Sequence, residues 1–323
     1  MEASRVSMGC VYAIVAYGAR AEEVKGILEG ALDEVDRIDR LASNYRPDSA
    51  LSEVNRRAPH GAVHVEPELF EILSDATAYA AESGGAFDVT VGPLVKAWGL
   101  FDGDGRVPAP QELARVRRDV GYTHLVLDAA QQTVAFDRPR VEIDLGGIAK
   151  GYAVDRVVRL LSTRGVRAAL VSAGGSTIYG LGAEPGTSAW EVEVQDPLDR
   201  RKVALRLPLK DRALSVSGAS ERFFEAGGVR YSHIMDPQSG RPVQGVLTVA
   251  VLAESGTASD ALGTALFVAG TVRGRRMLER HPGSEAIFLL PAAGQTWRSI
   301  HVTANRESAP ASHVPARTVP LAH

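Results

Sequence analysis

Two periods of apolar residues alternate along the chain, and the places where one gives way to the other outline the elements. Residues 8–17, MGCVYAIVAY, carry the alternation of a strand. From Ala21 to Leu41 the apolar positions are Val24, Ile27, Leu28, Ala31, Val35, Ile38 and Leu41. Steps of three and four predict an amphipathic helix there. A second helix is predicted over Pro67–Ala81, with Pro67 in the first turn, where a missing N–H costs nothing. Gly84-Gly85 closes it. THLVLD (123–128), QTVAFD (132–137) and RVEID (140–144) read as successive strands, the first two joined by a short turn. A helix follows over about 148–163, then a strand at Ala168–Ala173.

The second half is richer in strands. WEVEVQDP, KVALRLPL, ALSVSG, VRYSHIMD and LTVAVLAES follow one another, separated by turn residues. Helices are predicted over Ser259–Val268 and Val272–Arg280, and strands near 285–290 and 297–302. Residues 303–323 mix Ala, Pro, Ser and Arg without a period and are expected to form a disordered tail. The remainder, 1–302, is expected to be one domain or two interlocked subdomains. Strands and helices do not strictly alternate, so a doubly wound nucleotide fold does not fit; the pattern is mixed α+β.

Composition narrows the function classes. The 323 residues hold 36 Lys+Arg against 39 Asp+Glu, a formal net charge of -3, with 45% hydrophobic and 23% charged residues. Those proportions exclude a wholly disordered chain, a collagen and a coiled-coil fibre. There is no basic block, and aromatics are only 6%, so no nucleic-acid partner is expected. One cysteine, Cys10, excludes a disulfide framework and a CxxC metal or redox site, and is expected to be a half-buried apolar residue of the first strand. No run of about 18 apolar residues exists, so no membrane span is predicted. MEASRVSMGC has no apolar signal core, which points to the cytoplasm for the chain as it stands. Glycine is the excess: 32 residues against a usual share of about 7%.

Five glycine-bearing or polar segments carry candidate chemistry. DLGGIAKG (144–151) passes from a strand into a helix, and its glycines permit close backbone approach to a ligand. The helix N-terminus offers free N–H groups to a phosphate, with Lys150 a nearby cation and Asp144 an acceptor. It lacks the order of a Walker loop or a GxGxxG turn, and a glycine turn before a helix is also ordinary topology. GGAFDVTVGPLVKAWG (84–99) sets Asp88 and Thr90 in a short apolar run, and reads equally as a loop and short strand with Trp98 in the core. SAGGSTIYG (172–180) is a tight turn or a close ligand approach.

YSHIMDPQSGRP (231–242) places His233 and Asp236 beside turn residues at a strand end. Of the eight histidines, His233 alone is surrounded by Ser, Asp and turn glycine, although a lone His is commonly structural. In TASDALGTALF (257–267), Asp260 and Thr264 stand at i and i+4 of a helix, so both oxygens face one side. Carboxylate, hydroxyl and backbone carbonyl are hard donors that suit Mg²⁺ rather than Zn²⁺. An acidic residue near a helix start and a core Thr account for the same pair without a metal. No GxSxG elbow is present.

Taken in order, these segments resemble the FAD:protein FMN transferases, the ApbE-type flavin transferase family. MGCVYAI, SNYRPDSALSEVN, GGAFDVTVGPLVKAWG, DLGGIAKGYAVDRV, SVSGASERFF, YSHIMDPQSGRPV and ASDALGTALFVAG are similar to seven family segments, over about residues 8–290. The resemblance implies an α+β fold with mixed, largely antiparallel sheets flanked by helices, a T-fold-like architecture. It implies a Mg²⁺-dependent enzyme that takes FAD as substrate and passes FMN through a phosphoester bond to a Thr or Ser hydroxyl of an acceptor flavoprotein, releasing AMP. By resemblance, Gly147, Asp260 and Thr264 hold the metal. Met8, Tyr45, Ala86, Phe87, Asp88, Asp144, Lys150 and Ile234 line the FAD site, and His233 is the general base. Many members carry Ala where Gly147 stands, a change a backbone ligand tolerates; Lys150 replaces a Glu found in some members. Many members are exported. Two further readings share this site: a Mg²⁺-dependent FAD pyrophosphatase giving FMN and AMP, and a non-catalytic FAD-binding protein. A base beside a metal argues against the last.

Overall fold

A computed structural model describes residues 1–18, 21–101, 103–304 and 307–308. Its centre is a nine-stranded antiparallel sheet. The strands lie side by side in the order Glu2–Ser7, Cys10–Tyr17, Ala168–Ala173, Thr177–Leu181, Arg212–Gly218, Thr248–Ala253, Glu285–Ala292, Thr296–Thr303 and Glu307–Ser308. All six residues of Thr248–Ala253 are buried, because both faces of the sheet are covered. Val249 and Val251 pack toward the helices, while Ala250 and Leu252 meet a hairpin formed by Trp190–Gln195 and Val203–Leu209. The α+β class expected from the unalternated pattern is therefore the observed one. Among the described residues, no helix is long and apolar enough to cross a membrane.

The helices Ala21–Ala42, Pro67–Glu82, Ala149–Thr163 and Gly256–Leu278 share one apolar core on the inner face. Val24, Leu28, Ala31, Val35, Ile38 and Leu41 are buried at the predicted spacing. Gly270, with φ 70°, interrupts the last helix where the sequence divides it in two, and Ser255 caps its start a turn earlier than expected. The opening strand is shorter than predicted: it begins at Cys10 rather than at residue 8, and a further strand precedes it. Glu2–Ser7 pairs with Cys10–Tyr17 through a two-residue turn in which Met8 (φ 51°) and Gly9 (φ 72°) are both left-handed, as a type I′ hairpin requires. Glu2–Ser7 is an edge strand whose residues are largely polar, so it carries little hydrophobic signal.

Three further readings are corrected. RVEID is no strand: Ile143 exchanges its hydrogen bonds with the Asn55 side chain instead of a ladder. GGAFDVTVGPLVKAWG forms a 3₁₀ turn at Val89–Val91 and a helix at Gly92–Ala97, with Trp98 in the core as expected. VRYSHIMD divides into Val229–Ser232 and Met235–Asp236, leaving His233 and Ile234 between them. The expected tail, apart from Thr303, Ala304 and the pair Glu307–Ser308, lies outside the described residues.

Candidate active site

The segment Asp144–Gly151 is held in place before it can hold anything else. Ile143 N–H donates to Asn55 Oδ1 at 2.8 Å, and Asn55 Nδ2 donates to the Ile143 carbonyl at 2.9 Å. Asp144 N–H then donates to the Val89 carbonyl at 2.7 Å. These bonds satisfy an extended backbone that has no neighbouring strand. Gly146 N–H turns back to Asp144 Oδ1 at 2.8 Å. Burial pushes the Asp144 carboxyl above the ordinary Asp value, opposed by that N–H and by Asn44.

Beyond the loop, the helix Ala149–Thr163 crosses the start of Gly256–Leu278 at two glycines. A Cβ at Gly256 would lie 2.5 Å from the Gly151 carbonyl oxygen, so the two backbones touch. Asp155 joins the helices by accepting from Gly256 N–H (2.6 Å), Thr257 N–H (2.8 Å) and Thr257 Oγ1 (2.6 Å). Gly151 N–H donates to Asp260 Oδ2 at 3.0 Å across the same contact. Asp260 is only 7% exposed. Burial raises its carboxyl above the ordinary value, with the Lys150 charge and the Gly151 N–H opposing.

Thr264 stands one turn after Asp260 on the same helix face. Gly147 is wedged beside it: a Cβ there would be 3.0 Å from Thr264 Oγ1 and 3.1 Å from the Phe87 ring. The fold thus draws the loop at Gly147 to the helix bearing Asp260 and Thr264. Among the described residues, no group of three or more His, Cys, Asp or Glu side chains forms a cation site. A cation here would therefore rest on Asp260 and neutral oxygens, with its remaining ligands from water and substrate. That donor set suits Mg²⁺, which keeps several waters and binds through one or two carboxylates and substrate phosphates.

His233 follows the hairpin of Phe223–Ala226 and Val229–Ser232, and the charge of Lys150 reaches its ring. The hairpin leaves at Arg222 and returns at His233, whose N–H donates to the Arg222 carbonyl at 3.0 Å. His233 Nδ1 is 3.3 Å from the same oxygen. A carbonyl can only accept, so Nδ1 carries the hydrogen and the lone pair is left on Nε2. Burial pushes the imidazole down to about 4, and the charges of Lys150 and Arg222 act in the same direction. The ring is neutral at neutral pH.

Lys150 Nζ donates to Ser176 Oγ at 2.7 Å. The tandem glycines Gly174-Gly175, both with positive φ, turn the chain so that Ser176 follows the strand end. The Lys150 charge is felt by Asp260, Glu221, Cys10 and His233, which places it among them. Cys10 is half-buried beside Gly174, and burial raises its thiol above the ordinary value.

The other expected residues lie in two settings. Tyr45 is exposed, stacks on Phe101 with centroids 4.7 Å apart, and accepts from Arg222 Nη1 at 3.1 Å. The Met8–Gly9 turn approaches the same arginine: a Cβ at Gly9 would be 3.9 Å from Arg222 Nη2. Met8 Sδ accepts from the Tyr12 hydroxyl at 3.2 Å. Ala86, Phe87 and Ile234 are buried. Asp88 is buried too, and its oxygens accept from Thr90 N–H, Thr90 Oγ1 and Tyr122 N–H at 2.6 to 2.8 Å. Its carboxylate holds the Val89–Val91 turn together. Burial raises this carboxyl also, against those hydrogen bonds.

The contacts of Asn55, Gly151, Asp155, Ser176 and Arg222 emerge only from the folded chain, although all five lie in segments quoted from the sequence. The SVSGASERFF segment marks the neighbourhood of Arg222, but a Glu-Arg pair between strands reads as solvated surface.

Residues 8–288 match the family model described as the ApbE family. The FAD:protein FMN transferase of Treponema pallidum is 37% identical over 300 residues, covering 88% of this chain and 83% of that protein. That of Salmonella typhimurium is 31% identical over 303 residues, covering 91% and 85%. Among solved structures, the ApbE protein from Thermotoga maritima superposes with a TM-score of 0.83 at 33% identity, covering 90% of this chain and 94% of that one. The flavin transferase ApbE from Vibrio cholerae gives 0.83 at 30% identity, covering 94% and 97%.

Proposed function

The chain belongs to the ApbE family, and from that premise we propose that it transfers the FMN moiety of FAD to a Thr or Ser hydroxyl of an acceptor flavoprotein. The observation that carries this reading is His233: a neutral imidazole whose Nδ1–H is fixed on the Arg222 carbonyl, leaving Nε2 as acceptor. A hydroxyl nucleophile needs such a base, because its own pKa leaves it protonated.

The acceptor hydroxyl oxygen forms a new bond to the phosphorus of the FMN half. The bond from that phosphorus to the bridging oxygen breaks, and AMP leaves with the bridging oxygen. His233 Nε2 takes the hydroxyl proton. Asp260, Thr264 Oγ1 and the Gly147 carbonyl are the donors that would hold Mg²⁺, which when bound neutralises pyrophosphate charge. Met8, Tyr45, Ala86, Phe87, Asp144, Lys150 and Ile234 would line the FAD site. Asp88 would act there from beneath, through the turn it braces, and Lys150 would offer a fixed positive charge to the phosphates.

Purified protein, FAD, Mg²⁺ and a Thr-bearing acceptor test this directly. The expected result is a flavin-fluorescent acceptor band on a denaturing gel, with AMP formed in equal amount. AMP without a labelled acceptor would make the protein a pyrophosphatase. No AMP with any divalent cation would leave FAD binding alone.

A further inference from the structure

We propose that Arg222 is a further catalytic residue, whose guanidinium contacts the phosphoryl group during transfer. The inference rests on the flavin-transfer reading and adds a group to it. Among the described residues, Arg222 has no carboxylate within ion-pair distance, unlike Arg37, Arg206, Arg212 and Arg230. The contrast with Arg230 is direct, since it lies on the hairpin that Arg222 begins and pairs with Glu225 at 3.0 Å.

Nor does the side chain of Arg222 swing freely. Nη1 donates to the Tyr45 hydroxyl, and the guanidinium carbon stands 5.7 Å from the Tyr45 ring centroid. Tyr45 is itself braced by its stack on Phe101. Among the described residues, Nε and Nη2 have no hydrogen-bond partner, and the Gly9 turn lies beside Nη2 without crowding it. An exposed arginine without a carboxylate is common, but one fixed on an aromatic face beside a general base has already lost much of its freedom before ligand arrives. Its charge also reaches Asp144, Glu221 and His233, so it stands within electrostatic range of the base and of the Asp144 loop.

One residue therefore serves both partners of the reaction. The Arg222 carbonyl orients His233, which takes the proton, while the planar fork of its side chain suits the non-bridging oxygens of a phosphoryl group. Charge gathers on those oxygens as the bond to AMP breaks and the bond to the hydroxyl forms. A donor aimed there lowers the barrier more than it tightens ground-state binding.

The test compares wild type, Arg222→Lys and Arg222→Gln in single-turnover transfer at saturating FAD and Mg²⁺. Flavin fluorescence gives the affinities for FAD and for riboflavin, which has no phosphate. Arg222→Gln is expected to slow transfer by about 10²–10³-fold, the usual loss for one such donor. Riboflavin affinity should stay at the wild-type value, and Arg222→Lys should recover part of the rate. A Gln variant within threefold of wild type in rate overturns the proposal. So does an equal loss of FAD and riboflavin affinity with an unchanged saturated rate, which would make Arg222 only a support for the Tyr45 ring. Wild-type protein that neither labels an acceptor nor releases AMP sinks the transfer reading itself, and with it the catalytic role of Arg222.

Discussion

Gly151 and Gly256 meet backbone to backbone, and a Cβ on either one would overlap the carbonyl of the other. Two helices can approach this closely only where neither carries a side chain at the crossing. The approach is what brings the Gly151 N–H within 3.0 Å of Asp260 Oδ2. The carboxylate expected to hold a cation is thus aimed by a glycine on another helix, 109 residues earlier.

Gly151→Ala should therefore act on stability and on the site together. Overpacking of this kind typically costs about 1–3 kcal/mol. Denaturant unfolding should show that loss, and transfer should need more Mg²⁺ for half-maximal rate. A variant with wild-type stability and metal demand would show the contact to be dispensable.

Asp260→Asn keeps an oxygen to accept from Gly151 N–H but removes the charge. Thermal unfolding should change little, while Mg²⁺-dependent AMP release should fall about 100-fold or more, the counterpart of several kcal/mol of lost charge stabilisation. Activity that persists with unaltered Mg²⁺ dependence would remove Asp260 from the metal site.

Asn55→Ala strips both backbone partners from Ile143, a residue wholly buried. Leaving two such groups unsatisfied should cost roughly 2–6 kcal/mol at about 1–3 each. Since Asp144 follows directly, FAD affinity measured by fluorescence should fall as well. An Asn55→Ala protein as stable as wild type would mean that water replaces the clamp.

The pH dependence follows from His233. Its neutral form is the proposed base, and burial holds the folded ring down at about 4. As pH falls, the free enzyme keeps its base well below the ordinary histidine value, so kcat/KM should show no inflection near 6.5. The stability effect has a definite sign too. Between about 6.5 and about 4 the unfolded chain takes up a proton that the folded one refuses, so this histidine lowers stability as pH falls through that window. A kinetic pKa of 6.5 that disappears in His233→Asn would mean the ring is not desolvated.

Where the sequence predicted well, the signal was local. Ala21–Ala42 and Ala168–Ala173 bury the residues their spacing marks, because a helix or strand turns its apolar side chains to one face regardless of what covers it. Asp260 and Thr264 share a face for the same reason. RVEID shows the limit: its β-like composition is real, but its hydrogen bonds go to Asn55, which only the folded chain brings alongside. The Glu2–Ser7 strand was missed because an exposed edge needs few apolar residues.

By itself, then, the sequence determined the mixed α+β pattern, the helix faces, the order of the glycine-bearing segments and the family they resemble. All of these depend on residues a few positions apart. The tertiary structure alone decided that Asp88 turns its carboxylate to Thr90 and Tyr122, and that Gly256 admits Gly151. It also set Arg222 beside Tyr45, with no carboxylate partner among the described residues. Such facts concern where a side chain's hydrogen bonds and charge are satisfied. That depends on groups distant in sequence, which come within reach only when the core closes.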